Sequence, residues 1–288
     1  MSGSDSTSGS KASEGGAPSD QRRKTLLFAN DKSSGKTTTA NAVLASLLQH
    51  HKPLLHNIVV HEYDRQPRLA AIWGKEDGFA GVYHHDARNA AAFDASREIA
   101  YDPNATIWDE LLYNLGAGGV IIDLGANIFA DICRILDDEP RPVFPEGGET
   151  IGVVVPVTTA RDSIDSGIVA IDNALSWGKR VRVFAVEQEY LGRFEGNAPG
   201  WSEYRDRMQR TEQNRFDIIR IERLLVADIG RVVFQRIDKL VAEATRQLQS
   251  GNLQGAEYIR AIRKARSELT WGGRTLEAVQ PIADWFAR

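Results

Sequence analysis

The segment from Asn30 to Thr37, with the sequence NDKSSGKT, has the residue types and the spacing that most directly predict chemistry. It fits the phosphate-binding pattern G-x-x-x-x-G-K-[ST] at every fixed position except the first, where asparagine replaces glycine. Since asparagine tolerates a positive φ better than most residues, we expect Asn30 to take the conformational role of that glycine. The segment follows an apolar run and precedes a helical pattern, which is the context in which such a loop binds nucleotide phosphates.

Most residues of this loop, and Thr38 after it, have a predicted role in binding a nucleotide. The residues expected to contact it are Asn30, Lys32, Ser33, Ser34, Gly35, Lys36, Thr37 and Thr38. The backbone N–H groups around Ser33–Lys36 would surround the phosphates at the N-terminus of the following helix. The Lys36 ammonium would reach the β and γ phosphates and stabilise their charge during catalysis, and the Thr37 hydroxyl would be a ligand of Mg²⁺.

Two acidic residues at strand ends are candidates for the rest of the site. Asp123 follows an apolar run, which places it at the carboxyl end of a strand, where it would hold Mg²⁺ through a water molecule. Gly125 would let a backbone N–H approach the γ phosphate. Asp64 follows the second apolar strand and would orient the attacking water. The alternatives are that Asp123 caps the next helix and that Asp64 lies in a solvated turn.

All the histidines of the chain lie between residues 50 and 85. They are His50, His51, His56, His61, His84 and His85. A metal site that includes Asp86 is one interpretation, because histidine is a common metal ligand. However, no HxH or HExxH spacing is present. We therefore expect His61 and His84 to approach each other only as ordinary neighbours in adjacent strands.

A basic surface is predicted near the C-terminus. Residues 201–275 contain 15 Lys and Arg against 10 Asp and Glu, whereas the whole chain has a net charge of −4. The densest group consists of Arg260, Arg263, Lys264 and Arg266. Helical spacing would spread these residues over one side, where they could neutralise several DNA phosphates. The alternative is a solvated helix face.

Hydrophobic periodicity alternates between strand and helix patterns along the chain. Apolar runs typical of buried strands occur at residues 25–29, 57–62, 81–84, 119–124, 151–157, 180–186 and 216–221. Helical spacing occurs at residues 37–50, 107–115, 128–136, 162–177, 231–248 and 257–269. This alternation predicts an α/β fold, a mostly parallel sheet with helices on both faces. Ligands of such sheets bind at the carboxyl ends of the strands, where the loop and the two acids lie.

Two segments do not fit this alternation. Residues 192–215 are polar around Trp201 and Tyr204, and we interpret them as a mobile insertion or a partner surface. Residues 275–288, interrupted by Pro281, are apolar enough to pack on the domain. They are too poor in basic residues for a membrane-binding helix.

The composition of the chain limits its class. It has 288 residues, of which 42% are hydrophobic and 26% charged, as in ordinary soluble proteins. The single cysteine excludes an intramolecular disulfide and fits a reducing compartment. Since we find no apolar run long enough to span a bilayer and no secretory segment, we expect a cytoplasmic protein with no membrane partner. Residues 1–22 predict a disordered Ser/Gly-rich tail, and residues 23–288 one P-loop domain with helical additions at about 236–288.

The order of these motifs resembles the ParA/MinD family of P-loop ATPases. Residues 62–66 (EYDRQ) resemble the acid-x-Asp-Pro-Gln switch of that family, with Arg65 at the position of the proline. Residues 123–125 (DLG) resemble its strand-end turn, and residues 153–159 (VVVPVTT) its apolar strand with a proline and a polar turn. The resemblance covers about residues 23–235.

The resemblance implies a Mg²⁺-dependent ATPase that binds ATP and ADP and acts as a slow switch in plasmid partition, stability or conjugative mobilisation of DNA. It also implies a nucleotide-dependent homodimer, an activating protein partner and non-specific DNA binding through the basic C-terminal helices. Two positions depart from the family. Asp31 stands at its signature lysine, with Lys32 one residue later, and Gln188 follows the strand that often ends in a base-reading asparagine, so that Gln188 would bind adenine instead.

Two other functions would use the same loop. One is a metabolic enzyme of the wider class, such as a dethiobiotin-synthetase-like ligase or a small-molecule kinase, with Arg161 or His84 in its substrate pocket. The other is a nucleotide-binding scaffold that does not hydrolyse ATP, which the altered residues Asn30 and Asp31 would favour.

Overall fold

The computed structural model describes residues 24–30, 34–87, 105–138, 150–196, 198–224, 235–249 and 255–288. The predicted tail and the loop residues Lys32 and Ser33 lie outside these ranges. The strands are β1 (Thr25–Phe28), β2 (Val59–Asp64), β3 (Gly81–Asp86), β4 (Val120–Leu124), β5 (Ile151–Val157), β6 (Val181–Gln188) and β7 (Phe216–Ile221). The α-helices are α1 (Lys36–His50), α2 (Ala105–Ala117), α3 (Ile128–Asp138), α4 (Arg161–Ser176), α5 (Pro199–Thr211), α6 (Ile237–Gln249) and α7 (Gly255–Ala287). Short 3₁₀ helices occur at Lys52–Asn57, Lys75–Asp77 and Glu189–Leu191.

The strands form one sheet in the order β3-β2-β4-β1-β5-β6-β7, and neighbouring strands pair in parallel throughout. The predicted α/β fold is therefore confirmed. The central strands are apolar along their whole length because both of their faces are covered; all residues of β5, for example, are buried.

Each face of the sheet has its own hydrophobic core, because alternate residues of a strand point to opposite sides. On one face, Leu27 and Val153 pack with helices α2, α3, α4 and α5. On the other face, Leu26 and Val154 pack with α1, α6 and α7. The prediction of helices on both faces is confirmed.

This arrangement makes the carboxyl end of β1 the point at which the chain changes face. Helix α1 follows β1 on one face, whereas α3 and α4 follow the flanking strands β4 and β5 on the other. The connections after these three strands therefore diverge. Such a divergence opens a crevice at the carboxyl ends of the strands, which is where α/β sheets bind ligands.

Helix α5 replaces the mobile insertion predicted for residues 192–215. Trp201 in this helix is fully buried, and Tyr204 is buried beside it. The Trp201 indole Nε1 donates a hydrogen bond to Glu187 at 2.9 Å. Few apolar residues are needed here, because two large aromatic side chains bury enough surface to dock the helix.

Helix α7 is continuous from Gly255 to Ala287 and does not end near residue 269 as predicted. Pro281 lies inside it, and the burial of Val279 and Ile282 on either side offsets the hydrogen bond that proline cannot donate. The expected packing of residues 275–288 on the domain is thus confirmed. Within the described ranges, no helix combines the length and the apolar character needed to cross a membrane.

Helices α6 and α7 approach each other closely at Gly272. A Cβ atom on Gly272 would lie 2.4 Å from Val241 Cγ2, whereas a Cβ atom on Gly273 would meet no atom within 4 Å. We expect Gly272→Ala to lower the free energy of unfolding by about 1–3 kcal/mol through overpacking. Gly273→Ala should raise it by up to about 1 kcal/mol, because alanine has the higher helix propensity. Urea unfolding of both variants measures the difference, and equal stabilities would contradict this packing.

Candidate functional site

The carboxyl end of β1 lies between the ends of β4 and β5. In the register of the sheet, Phe28 is paired with Asp123 on one side and with Val154 on the other. Helix α1 begins after the connection that follows β1, so its N-terminus lies next to Asp123. The sheet order therefore brings together the start of α1 and Asp123, which sequence reasoning assigned to one site.

The N-terminus of α1 has the backbone geometry of helix ends that bind anions. Its N-cap residue, Gly35, has φ 90° and ψ 27°, a left-handed conformation that favours glycine. Among the described residues, no side chain caps this helix end. The backbone N–H groups of the first turn cannot form intrahelical hydrogen bonds and are directed toward the N-terminal end of the helix. These groups belong to Lys36, Thr37 and Thr38, three of the residues predicted to bind phosphate.

The central contact of the site joins α1 to β4. Thr37 Oγ1 donates a hydrogen bond to Asp123 Oδ2 at 2.9 Å, and both residues are buried. The second oxygen, Asp123 Oδ1, is buried without a hydrogen-bond partner among the residues described. An unpartnered buried carboxylate oxygen is costly unless a cation binds it. A hydroxyl and a carboxylate oxygen are ligands of the kind that Mg²⁺ prefers, so Thr37 and Asp123 fit this ion.

The surroundings of Asp123 disfavour its ionised form. Burial raises the pKa of its carboxyl to about 7, and the charge of Glu62, which is paired with Asp123 in the sheet register, acts in the same direction. Lys36 and the Thr37 hydroxyl lower the pKa but do not cancel these effects. A strongly shifted carboxyl at the carboxyl end of a central strand is typical of a functional site.

The Lys36 side chain contacts Asn30, the first residue of the loop. Its Nζ donates a hydrogen bond to the backbone carbonyl of Asn30 at 2.5 Å, and the side chain is buried. The ammonium group therefore bridges the first and the last part of the loop.

Asn30 anchors the loop to β5 and α4 and does not replace a glycine conformationally. Among the described non-glycine residues only Asn127 has a positive φ, so the expectation of a left-handed Asn30 is wrong. The Asn30 side chain is fully buried. Its Nδ2 donates to the carbonyl of Pro156 at 2.7 Å, and its Oδ1 accepts from Ser166 Oγ at 2.7 Å. Asparagine is suited to this position because it hydrogen-bonds to the neighbouring strand and helix, which glycine cannot do.

The end of β2 brings Asp64 next to Gly125. A Cβ atom on Gly125 would lie 2.8 Å from the Tyr63 carbonyl oxygen and 3.2 Å from Asp64 Oδ1, so this close approach requires glycine. The Gly125 N–H donates to that Tyr63 carbonyl at 2.5 Å. This hydrogen bond occupies the N–H that sequence reasoning assigned to the γ phosphate. Asp64 is half-buried, and its Oδ1 accepts the N–H of Arg65 at 2.6 Å.

Glu62, the first acid of the EYDRQ segment, has a structural role that the motif does not reveal. Its fully buried carboxylate accepts the backbone N–H groups of Arg68, Leu69 and Ala70 at 2.8–2.9 Å. It thereby holds the turn that follows β2. The same carboxylate contributes the negative charge that acts on Asp123.

Gln188 packs against the first turn of α1 and the glycine that precedes it. Its Nε2 donates to Thr39 Oγ1 at 2.8 Å, and that hydroxyl donates to the Gly35 carbonyl at 2.9 Å. A Cβ atom on Gly35 would lie 3.3 Å from the Gln188 amide. The side chain that sequence reasoning assigned to adenine is therefore packed against the loop. Gln188 is the last residue of β6, and that position was the signal available in the sequence, whereas Ser166 lies inside α4, where no such signal exists.

The histidines meet in a different combination from the one expected. His61 Nδ1 lies 2.8 Å from His85 Nε2. Burial, with a smaller effect of His85, lowers the pKa of His61 to about 4, and burial also lowers the pKa of His85. His84 points to the opposite side of β3, where its Nε2 donates to the Asp64 carbonyl at 2.9 Å. The predicted proximity of His61 and His84 is wrong because successive residues of a strand alternate between faces.

The N-terminal part of α7 carries the predicted basic group. Arg260, Arg263 and Arg266 are exposed there. Lys264 is less exposed, and its Nζ lies 3.9 Å from Glu268 Oε1. This part of the helix thus presents guanidinium groups to solvent.

Comparison with known proteins finds no family for this chain, so that its class is described from the fold and the site alone. No protein-family model matches the chain, and a search of curated proteins finds no match. The molecule is an α/β protein with an all-parallel sheet and is compatible with a P-loop NTPase-like fold. Its site combines a helix N-terminus, a buried lysine and a buried carboxylate at the point where the chain changes face.

The role of Asn30 can be tested by restoring the glycine of the phosphate-binding pattern. We expect Asn30→Gly to lower the free energy of unfolding by about 1–3 kcal/mol, because it removes the amide that donates to the Pro156 carbonyl and the oxygen that accepts from Ser166. Chemical denaturation measures this loss. Asn57→Gly, at an exposed position, is the matched control and should change stability by less than about 1 kcal/mol. Wild-type stability of Asn30→Gly would contradict the anchoring role.

The carboxyl of Asp123 should make the metal-free protein less stable as the pH rises. Its pKa is raised from the ordinary value of 3.8 to about 7 in the folded chain, so ionisation favours unfolding between these values. Asp123→Asn should therefore match the wild type near pH 4 and exceed its free energy of unfolding at pH 8, by at most about 4 kcal/mol. Mg²⁺ with ADP should stabilise the wild type but not the variant. A pH-independent difference between the two proteins would contradict this account.

Proposed function

We propose that this protein is a Mg²⁺-dependent, ATP-binding switch of the ParA/MinD type, a slow ATPase that acts on DNA in plasmid partition, stability or conjugative mobilisation. The observation that carries the proposal is the hydrogen bond between Thr37 and Asp123, with the unpartnered Asp123 Oδ1 beside it. These residues are 86 positions apart in the chain and belong to two separate motifs of that family.

The residues of the site would divide the work between charge stabilisation and positioning. The N–H groups of the first turn of α1 and the Lys36 ammonium would stabilise the phosphate charge. Thr37 and Asp123 would hold Mg²⁺, which neutralises phosphate charge when it is bound. Asp64, at the end of the strand next to β4, would orient the attacking water.

Several groups of the site already form hydrogen bonds within the protein, which supports slow turnover in the absence of a partner. One Asp64 oxygen accepts the N–H of Arg65, and the Gly125 N–H is held by Tyr63. A nucleotide with a γ phosphate would have to compete for these groups. An activating partner or a second copy of the chain would assist by rearranging the ends of β2 and β4, and the family resemblance adds the homodimer.

DNA is the proposed macromolecular partner. The support is the exposed guanidinium groups of Arg260, Arg263 and Arg266 on α7. Lys and Arg side chains that neutralise phosphates give binding that weakens steeply as salt rises. Binding of this kind would be non-specific in sequence, because phosphate contacts carry no information about the bases.

Nucleotide titration with Mg²⁺ tests the central claim. We expect wild type to bind ATP and ADP, and Lys36→Ala to weaken the affinity by about tenfold to a hundredfold or more, because it removes a charge-assisted contact. Lys52→Ala, an exposed lysine near the end of α1, is the control and should bind as wild type. If the wild type binds neither nucleotide, the proposed function is wrong.

The same proteins separate the switch from its alternatives. DNA retention that requires ATP and is lost at high salt supports the switch. ATP consumption that begins only when a small acid or amine is added supports a metabolic ligase or kinase. Tight nucleotide binding without any hydrolysis, with or without DNA, supports the scaffold.

A further inference from the structure

A second cluster of metal-ligand side chains lies on the edge strand β3, on its neighbour β2 and on helix α2. His61 Nδ1 and His85 Nε2 are 2.8 Å apart, and Glu110 Oε2 on α2 lies 3.8 Å from His85 Nδ1. One ligand atom from each of these three residues lies within 4.8 Å of the other two. The residues come from three separate elements, so only the fold assembles them.

The sheet register and aromatic stacking hold the two imidazole rings in place. His61 is paired with Tyr83, and Tyr63 with His85, so all four side chains lie on the same face of the sheet. The Tyr63 ring stacks on His85 with centroids 4.3 Å apart and planes within 9°. The Tyr83 ring stacks on His61 at 5.5 Å. The two imidazoles are therefore oriented by their neighbours without an ion.

The ligand set selects the class of ion. Two imidazole nitrogens and one carboxylate suit Zn²⁺ and the neighbouring transition metals better than Mg²⁺ or Ca²⁺, which prefer oxygen ligands. A tetrahedral centre with Zn–N bonds of about 2.0–2.1 Å needs nitrogens about 3.3 Å apart. The present separation of 2.8 Å would therefore widen by about half an ångström, a shift within reach of small side-chain rotations.

The three residues of the cluster differ in solvent exposure, which increases from His61 to Glu110. His61 is buried, the His85 side chain is 16% exposed, and the Glu110 side chain is 48% exposed. An ion can thus enter from the side of Glu110. A site with three protein ligands and a solvent-facing side leaves a coordination position for water or an external ligand.

We propose that His61, His85 and Glu110 form a binding site for a divalent transition-metal ion of the Zn²⁺ type, separate from the nucleotide site. The bound ion links β2, β3 and α2 at the edge of the sheet. Because the ion binds the folded chain, it stabilises this edge by mass action.

Metal titration of the full-length chain tests the site. The protein is stripped with EDTA, dialysed and titrated with ZnCl₂ by calorimetry and with CoCl₂ by visible absorption, in the Asp123→Asn background so that the nucleotide site does not contribute. We expect binding of a single ion, ligand-field bands of cobalt bound to nitrogen, and a rise in Tm that EDTA reverses.

Substitutions assign the ligands. Glu110→Gln changes a half-exposed carboxylate with little risk to folding and should weaken Zn²⁺ binding at least about tenfold, since loss of even an outer-shell partner costs that much. His85→Gln should also remove the cobalt bands. His51→Gln disrupts a histidine–carboxylate pair elsewhere, with Asp284 at 2.8 Å, and should bind Zn²⁺ as the parent does.

Two outcomes would overturn the proposal. One is that the stripped parent protein binds neither Zn²⁺ nor Co²⁺ more tightly than Glu110→Gln does, which would make the contact between His61 and His85 a hydrogen bond internal to the fold. The other is that His51→Gln loses the binding while Glu110→Gln keeps it, which would place the ion elsewhere. Neither outcome bears on nucleotide binding.

Discussion

The hydrogen bond between Thr37 and Asp123 is the contact on which the candidate site depends. It ties the first turn of α1 to the carboxyl end of β4 at 2.9 Å, and it is buried. β1 lies between β4 and β5, and α1 packs on the face opposite to α3 and α4. The hydrogen bond therefore holds the N-terminus of α1 at the carboxyl end of the sheet, where the connections after β1, β4 and β5 lead to different faces. Any ligand that used the N–H groups of α1 would also meet the free oxygen of Asp123.

Three buried carboxylates, those of Glu62, Asp123 and Glu187, lie within described strands at this edge of the sheet, and their partners differ. Glu62 is satisfied by three backbone N–H groups. Glu187 accepts from Trp201 with one oxygen and from Arg220 with the other. Asp123 alone among these three leaves an oxygen without a partner. Since buried acids in folded proteins are normally paired, this difference sets Asp123, the proposed Mg²⁺ ligand, apart from two carboxylates whose hydrogen bonds stabilise the fold.

Sequence patterns predicted the elements well where periodicity was strong. The strand at Ile151–Val157 and the strand at Phe216–Ile221 have the predicted bounds, because a run of apolar residues covered on both faces leaves little choice of structure. Patterns failed for α5, whose docking depends on Trp201 and Tyr204 in an otherwise polar segment. Sequence patterns also failed at Pro281, which was expected to interrupt the C-terminal segment. The helix continues through it because tertiary packing buries the residues around the proline, and local sequence does not reveal that packing.

The sequence by itself determined the fold class and the chemistry available to the site. Alternating periodicities favour a parallel sheet with two covered faces, and the spacing of Gly35, Lys36 and Thr37 predicts a helix N-terminus of the kind that binds phosphate. Only the tertiary structure decided which side chains meet. The bonds from Asn30 to β5 and α4, the support of Gly35 by Gln188 and the pairing of His61 with His85 depend on strand order and register. These are long-range properties, because each joins residues whose local sequences carry no information about one another.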